Sequence, residues 1–325
     1  MSTRILRPAL TLALALAAAL ASPFSVAQTP APAPNTASAS AHSPLLWKVS
    51  DADGNADTVL YLLGSIHVLK PSDYPLSTDI DAALDDAEHV MFEIDLPSMA
   101  VPANVAKMQQ AMMASDGRRL SARLSPEARA QLETLLGAGG GSLEQVEALD
   151  PWAMNLSMAL GVMQAMGFQA DAGVDVHIDA RARAAGKSLG ALETIEDQFA
   201  ALDAAPMGEQ VAGLEDFLSD PKKTVAQLDL LHRAWLSGDI DTLDKTLRAE
   251  FESESPETYR LINVARNDRW LPLLETRLKR QDGDDTLAVV GAMHLLGSDG
   301  VIEKLRSRGY RVERVCTACG TGATH

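Results

Sequence analysis

The sequence predicts an α/β fold: a central mixed, partly parallel sheet built from both ends of the chain, with a large helical section in the middle. Three observations carry this. Apolar, strand-like runs alternate with amphipathic helical stretches early in the chain and again at its end, the rhythm of strand–helix–strand units. From about residue 98 to 170 and from about 197 to 280 the apolar spacing is helical, broken by Gly and Pro. The same hexad, Gly-x-x-His-x-Leu, follows an apolar run twice, as GSIHVL at Gly64–Leu69 and as GAMHLL at Gly291–Leu296.

The chain begins with an export-type segment. Arg4 and Arg7 precede the apolar run Ala9–Ala21, too short to span a bilayer, and Ser25-Val26-Ala27 offers small residues for cleavage after Ala27. Residues 28–44, rich in Pro, Ala, Ser and Thr, cannot bury apolar surface and read as a disordered tether. The expected product is an exported protein, periplasmic or secreted, with no membrane anchor after signal cleavage. Losing the signal takes the net charge from −16 to about −18. A surface this acidic repels phosphate backbones, so nucleic acid is excluded as a partner class.

A single domain is expected over 45–316, followed by a tail at 317–325. Leu45–Val49 and Thr58–Leu63 read as strands of a hairpin around an Asp-Gly-Asn turn. PLSTDIDAALDDAEHV then supplies a Ser77 or Thr78 N-cap and helical apolar spacing at Ile80, Ala83, Leu84 and Ala87. Val90–Leu96 (VMFEIDL) is the next strand, and the strand–helix–strand order implies a parallel pair with a right-handed crossover.

The middle is helical. Ser125 caps SPEARAQLETLL, and Met154, Met158, Met163 and Met166 form a stripe that reads as core packing or as the lining of an apolar groove. Gly173–Ala185 is a helix stopped at Gly186, Ser188–Leu192 a short strand, and Glu193 and Glu196 stand just beyond it. Helices then run to about Lys279, with breaks at Pro206, Pro221 and Pro256, before a last strand–helix–strand unit ending in YRVERV. Cys316 and Cys319 form C-x-x-C after that strand, but GTGATH cannot build the helix a redox motif needs. A short disulfide is expected, with a metal clip to His325 as the alternative.

In open α/β sheets, ligands sit at the carboxyl ends of parallel strands. Both Gly-x-x-His segments stand at such ends. If their strands are neighbours, His67 and His294 converge on one pocket. Strand alternation puts Glu93 and Asp95 on one face of VMFEIDL, and buried carboxylates there need a partner or a metal. Two imidazoles and a carboxylate suit a divalent transition metal such as Mn, Co or Zn, with positions open for water. His42, His89, His177 and His232 read as surface or packing residues.

LYLLGSIHVL, VMFEIDL, GVDVHIDARARAAGKSLGALETIEDQ, ARNDRWLPLLE and VVGAMHLLGSDGVIEKLRSRGYRVERV, in that order, resemble the TraB/PrgY/GumN family in its exported GumN-like branch. That family is similar to the Tiki proteins, described as metal-dependent proteases, and is grouped with erythromycin esterase-like and ChaN-like proteins on a shared α/β scaffold. The resemblance implies that His67 and His294 are the two motif histidines and Glu93 the acid of the second strand. Arg266 matches an arginine ahead of the last motif, suited to an oxyanion or a substrate carboxylate. Glu193 and Glu196 match an LE-x-x-E segment.

The expected function is that of a metal-dependent hydrolase, a metallopeptidase acting on a peptide or protein. His67, Glu93 and His294 are the expected metal ligands, and Glu93, Glu193 and Arg266 the catalytic groups. Neither H-E-x-x-H nor G-x-S-x-G occurs, which sets aside the ordinary zincins and serine hydrolases. The alternatives are a metal-independent esterase-like hydrolase, with His67 as base oriented by Glu93, and a non-catalytic protein binding a metal or other ligand.

Overall fold

The computed structural model describes residues 42–52, 58–280 and 283–319. The export-type segment, the turn at 53–57, His325 and most of the tether and tail lie outside the described residues. Among the described residues no helix is long and apolar enough to cross a membrane.

Six strands make one sheet: β1 (Leu46–Ser50), β2 (Leu60–Ser65), β3 (His89–Phe92), β4 (Ser188–Ala191), β5 (Thr286–Gly291) and β6 (Arg311–Arg314). Their spatial order is β4-β3-β5-β2-β1-β6. Strands β4, β3, β5 and β2 run parallel, while β1 is antiparallel to both β2 and β6. The expected mixed sheet built from both chain ends is therefore present. The expected direct pairing of β2 with β3 is not: β5, from the far end of the chain, lies between them and hydrogen-bonds to both. Every residue of β2 and β5 is buried, as strands covered on both faces require.

Helices cover the sheet. α1 (Thr78–Asp86) is capped by Ser77, whose hydroxyl accepts the Asp79 amide. The middle of the chain supplies α2 (Pro102–Ala111), α3 (Pro126–Ala138), α4 (Pro151–Ala165), α5 (Val174–Ala184), α6 (Ile195–Asp203), α7 (Met207–Ser219) and α8 (Pro221–Ser237). Proline opens α2, α3, α4 and α8, where its missing N–H costs nothing. Short helical pieces, including wide π-type turns at Asp244–Ala249 and Arg260–Val264, lead into α9 (Ala265–Leu278), and α10 (Val301–Ser307) precedes β6. Met163 lies in the main core, Met158 and Met166 pack against it, and Met154 joins a satellite cluster with Leu120, Leu132 and Leu214. The methionine stripe is packing, not a groove lining.

Cys316 and Cys319 are joined as a disulfide, and the next residue's amide, Thr317, donates to Asp79 Oδ2. His232, read from sequence as surface or packing, is buried with its Nε2 2.8 Å from Asp73 Oδ2. His177 packs on Tyr74, and His89 contacts Ser188 Oγ at 2.9 Å.

Candidate active site

The two hexads meet because β2 and β5 are neighbours. Their register is offset by one residue, Gly64 facing Val290 and Ser65 facing Gly291. Both chains turn off the sheet at the same edge and carry His67 and His294 to one corner. Both histidines are buried. The glycines serve close approach rather than an unusual backbone: Gly291 has φ −52°. A Cβ there would lie 3.2 Å from Glu93 Oε1, 3.6 Å from His294 Cδ2 and 3.7 Å from His67 Nε2. The two imidazoles and the carboxylate thus crowd one backbone position, where only hydrogen fits comfortably. Gly291→Ala should lower turnover about tenfold or more while costing about 1–3 kcal/mol of stability by overpacking; kinetics beside urea unfolding check this.

Glu93 is the first residue after β3. Its Oε1 accepts the Gly291 amide at 2.6 Å, and its Oε2 accepts from Arg266 Nη2 at 2.5 Å and Gln198 Nε2 at 3.2 Å. The strand ends at Phe92, so alternation does not carry on to Asp95. That side chain is exposed at the start of a short turn and faces Arg183 at 3.6 Å.

Arg266, near the start of α9, is buried with all five of its N–H donors used. Nε and Nη2 donate to Glu193 Oε1 at 2.9 and 2.6 Å, and Nη2 also donates to Glu93. Nη1 donates to the Ile262 carbonyl and to His294 Nε2, both at 3.0 Å. The guanidinium packs over the Trp270 ring, and Trp270 Nε1 donates to Glu193 Oε2 at 3.2 Å. Glu193 is therefore the buried seat of Arg266. Glu196, its partner in the LE-x-x-E segment, points outward to an exposed pair with Lys107 and is not part of the site.

Each imidazole is tied back through Nδ1. His294 Nδ1 meets Asn267 Oδ1 at 2.7 Å, and Asn267 is oriented by donating to the His294 and Asp299 carbonyls. His294 therefore carries its proton on Nδ1 and directs the Nε2 lone pair inward. His67 Nδ1 meets Asp175 Oδ2 at 2.6 Å, and Asp175 Oδ1 accepts from Ser65 Oγ at 2.6 Å. Asp175, not Glu93, orients His67. Asp175 sits in the first turn of α5, whose opening amide, Val174 N–H, donates to the Ile66 carbonyl. His67 Nε2 is buried with no hydrogen-bond partner.

The charges sort the two histidines apart. Burial alone would depress the His67 imidazolium, but Asp175, seconded by Glu93, outweighs it and lifts the pKa to about 9. Burial and the adjoining Arg266 push His294 down to about 3, so it stays neutral. For Glu93 burial acts upward, but Arg266, the protonated His67 and the Gly291 amide outweigh it and bring the pKa to about 2. Burial raises Glu193.

This donor set suits a divalent cation in its chemistry. Two imidazoles present Nε2 with Nδ1 held by an outer acceptor, the arrangement that metal-binding histidines adopt. A carboxylate oxygen stands 3.9 Å from His294 Nε2, and two buried carboxylates, Glu93 and Glu193, face one guanidinium. As they stand, no three His, Cys, Asp or Glu side chains among the described residues form a group able to hold an ion. Arg266 takes up both Glu93 Oε2 and His294 Nε2.

Sequence reasoning brought forward His67, Glu93, Glu193, Arg266 and His294, and the structure gathers all five. It missed Asp175, Asn267 and Gln198. Each lies on the buried stripe of its helix: Asp175 with Ile178 and Ala182, Asn267 with Leu271 and Leu274, Gln198 with Ile195 and Leu202. A polar residue at apolar spacing was the available signal.

Two relatives, each named "Uncharacterized protein YbaP", from Escherichia coli (strain K12) and Shigella flexneri, are 24% identical to the chain over 261 residues, covering 80% of it and 92% of the relative. No solved structure matches. The sequence model of the TraB/PrgY/gumN family matches residues 45–314, spanning both Gly-x-x-His hexads and every residue of this cluster, and the chain belongs to that family.

Proposed function

We propose that this protein is a metal-dependent hydrolase that cleaves peptide bonds, with His67, Glu93 and His294 holding a divalent transition metal (Mn, Co or Zn). One observation carries the reading: two buried imidazoles, each tied back at Nδ1, bring their inner edges to the Gly291 corner beside the Glu93 carboxylate. A metal bound there would polarise a substrate carbonyl and acidify a bound water. Asp175 and Asn267 keep the Nε2 atoms of His67 and His294 aimed inward. With His294 Nε2 given over to a metal, the Arg266 Nη1–H that it now accepts would be free to stabilise a developing oxyanion. Glu193 acts through Arg266 by fixing its guanidinium, which makes it a positioning residue rather than a base.

The same reading places the protein outside the cytoplasm. The export-type N-terminal sequence and the Cys316–Cys319 disulfide support an oxidising compartment. The acidic surface favours a peptide or protein partner over nucleic acid.

Protein purified without chelator should carry close to one transition-metal ion per chain by elemental analysis. Exhaustive treatment with EDTA should abolish cleavage of a peptide library by about 100-fold or more, and added Mn²⁺, Co²⁺ or Zn²⁺ should restore it. A second reading rests on Arg266 occupying the gap between Glu93 and His294. In that case hydrolysis proceeds without metal, with His67 Nε2 taking the proton of water. Activity that survives chelation and climbs with pH toward about 9, as His67 loses its proton, selects this second reading.

A further inference from the structure

A cavity of ≈ 30 Å³, room for about two water molecules, adjoins the site on the side of Gly291. Its inner wall is Ser65, Ile66, Gly291, Ala292, Met293 and His294; its outer wall is Leu231 and Trp235 of α8 with Leu243 and Leu247 from the stretch that follows. The polar groups of this lining are already engaged. Trp235 Nε1 donates to the Gly64 carbonyl at 2.9 Å, Ser65 Oγ donates to Asp175, and His294 is held by Asn267 and Arg266. With these side-chain groups engaged and the other lining side chains apolar, the cavity fits a small aliphatic group.

Gly291 is the boundary between this cavity and the reactive cluster. It lines the cavity, while its missing Cβ faces Glu93, His294 and His67 at 3.2–3.7 Å. A group seated in the cavity therefore lies one backbone position away from the atoms proposed to act. We propose that the cavity is the side-chain pocket of the substrate, accepting an alanine- or valine-sized residue next to the scissile carbonyl and rejecting leucine and aromatic residues. This rests on the hydrolase reading above and names its substrate class. Leu247 is one of its apolar walls: it is buried, branched and contributed by the π-type turn Asp244–Ala249.

The test uses the whole protein with Mn²⁺ and N-acetyl tripeptide amides identical except for Ala, Val, Leu or Phe at the central residue. Binding is read by saturation-transfer NMR, and cleavage by mass spectrometry of the same samples. Wild type should bind the Ala and Val peptides about tenfold or more better than the Phe peptide, the discrimination one or a few methylenes can supply. Leu247→Ala should raise Leu and Phe peptides about tenfold relative to Ala; Leu247→Val, which removes one methylene, should raise Leu alone and serves if the larger truncation fails to fold. An unchanged ranking in the variants, equal binding of Ala and Phe peptides by wild type, or no binding at all overturns the pocket. A shifted ranking without cleavage keeps the pocket and removes the hydrolase reading. Cleavage with no shift in ranking does the reverse.

Discussion

Glu93→Gln should lower kcat/KM by about 10³-fold while leaving a folded protein. The substitution keeps the shape of the side chain and removes its charge. Glu93 is one of two carboxylates neutralising the buried Arg266 guanidinium, and its Oε1 accepts the Gly291 amide. A glutamine can keep the Gly291 bond through its oxygen, but then turns an amide N–H₂ toward Arg266 Nη2, donor against donor. Losing a charged group aimed at the reacting centre costs about 10²–10³ in rate on its own, and under the proposed metal reading the loss of a ligand would add to it. Stability should fall by about 3 kcal/mol, the low end for breaking a buried ion pair, because Glu193 still holds the guanidinium. Urea unfolding and steady-state kinetics on the same preparation check both numbers. Glu196→Gln is the control: it loosens only an exposed pair with Lys107, so activity and stability are both unchanged. Glu93→Gln that turns over normally would remove Glu93 from the chemistry.

The two repeats and the acid after β3 were legible because strand ends announce themselves: an apolar run, then a polar residue with nowhere to go. Glu193, just beyond β4, was legible in the same way, whereas Arg266 emerged only with help from the family resemblance, since a charge on a helix face is ordinarily solvated. What the sequence could not convey was adjacency. Strand β5 slides between β2 and β3, and no local pattern distinguishes that arrangement from a direct β2–β3 pair. Register defeated the alternation argument for Asp95, because β3 stops at Phe92 and alternation holds only within a strand. The supporting residues escaped for a different reason. Asp175, Asn267 and Gln198 occupy apolar positions on amphipathic helices, and reading those helices for their hydrophobic stripe hides the polar members of it. The mismatch between residue type and helix face was itself the mark of the site.

Asp175→Asn should be the most revealing of the supporting substitutions. In the wild type, Asp175 takes the Nδ1 proton of His67 through Oδ2 and the Ser65 hydroxyl through Oδ1. An asparagine that keeps its oxygen for Ser65 presents N–H₂ to His67 Nδ1, which forces the proton onto Nε2 and blocks the lone pair meant for the centre. Turnover should fall by about 10²–10⁴-fold, the range seen when a histidine is held in the wrong tautomer, and metal affinity by about 10–100-fold. A purely structural Asp175 would lower stability without altering proton binding, so the decisive readout is pH. In chelator-treated wild type, the folded state holds the His67 proton up to about 9, above the ordinary 6.5. That preference contributes on the order of 3 kcal/mol, fully present below about 6.5 and lost as pH rises through about 9. Without the Asp175 charge, burial dominates and the imidazole prefers to be neutral. The loss of stability between pH 6.5 and 9 should then vanish, and acid below 6.5 should destabilise the variant more steeply than the wild type, in which His294 alone of the two histidines refuses a proton that the unfolded chain binds. Urea midpoints across pH 5–10 for the two proteins decide it: parallel curves would mean that Asp175 does not govern His67.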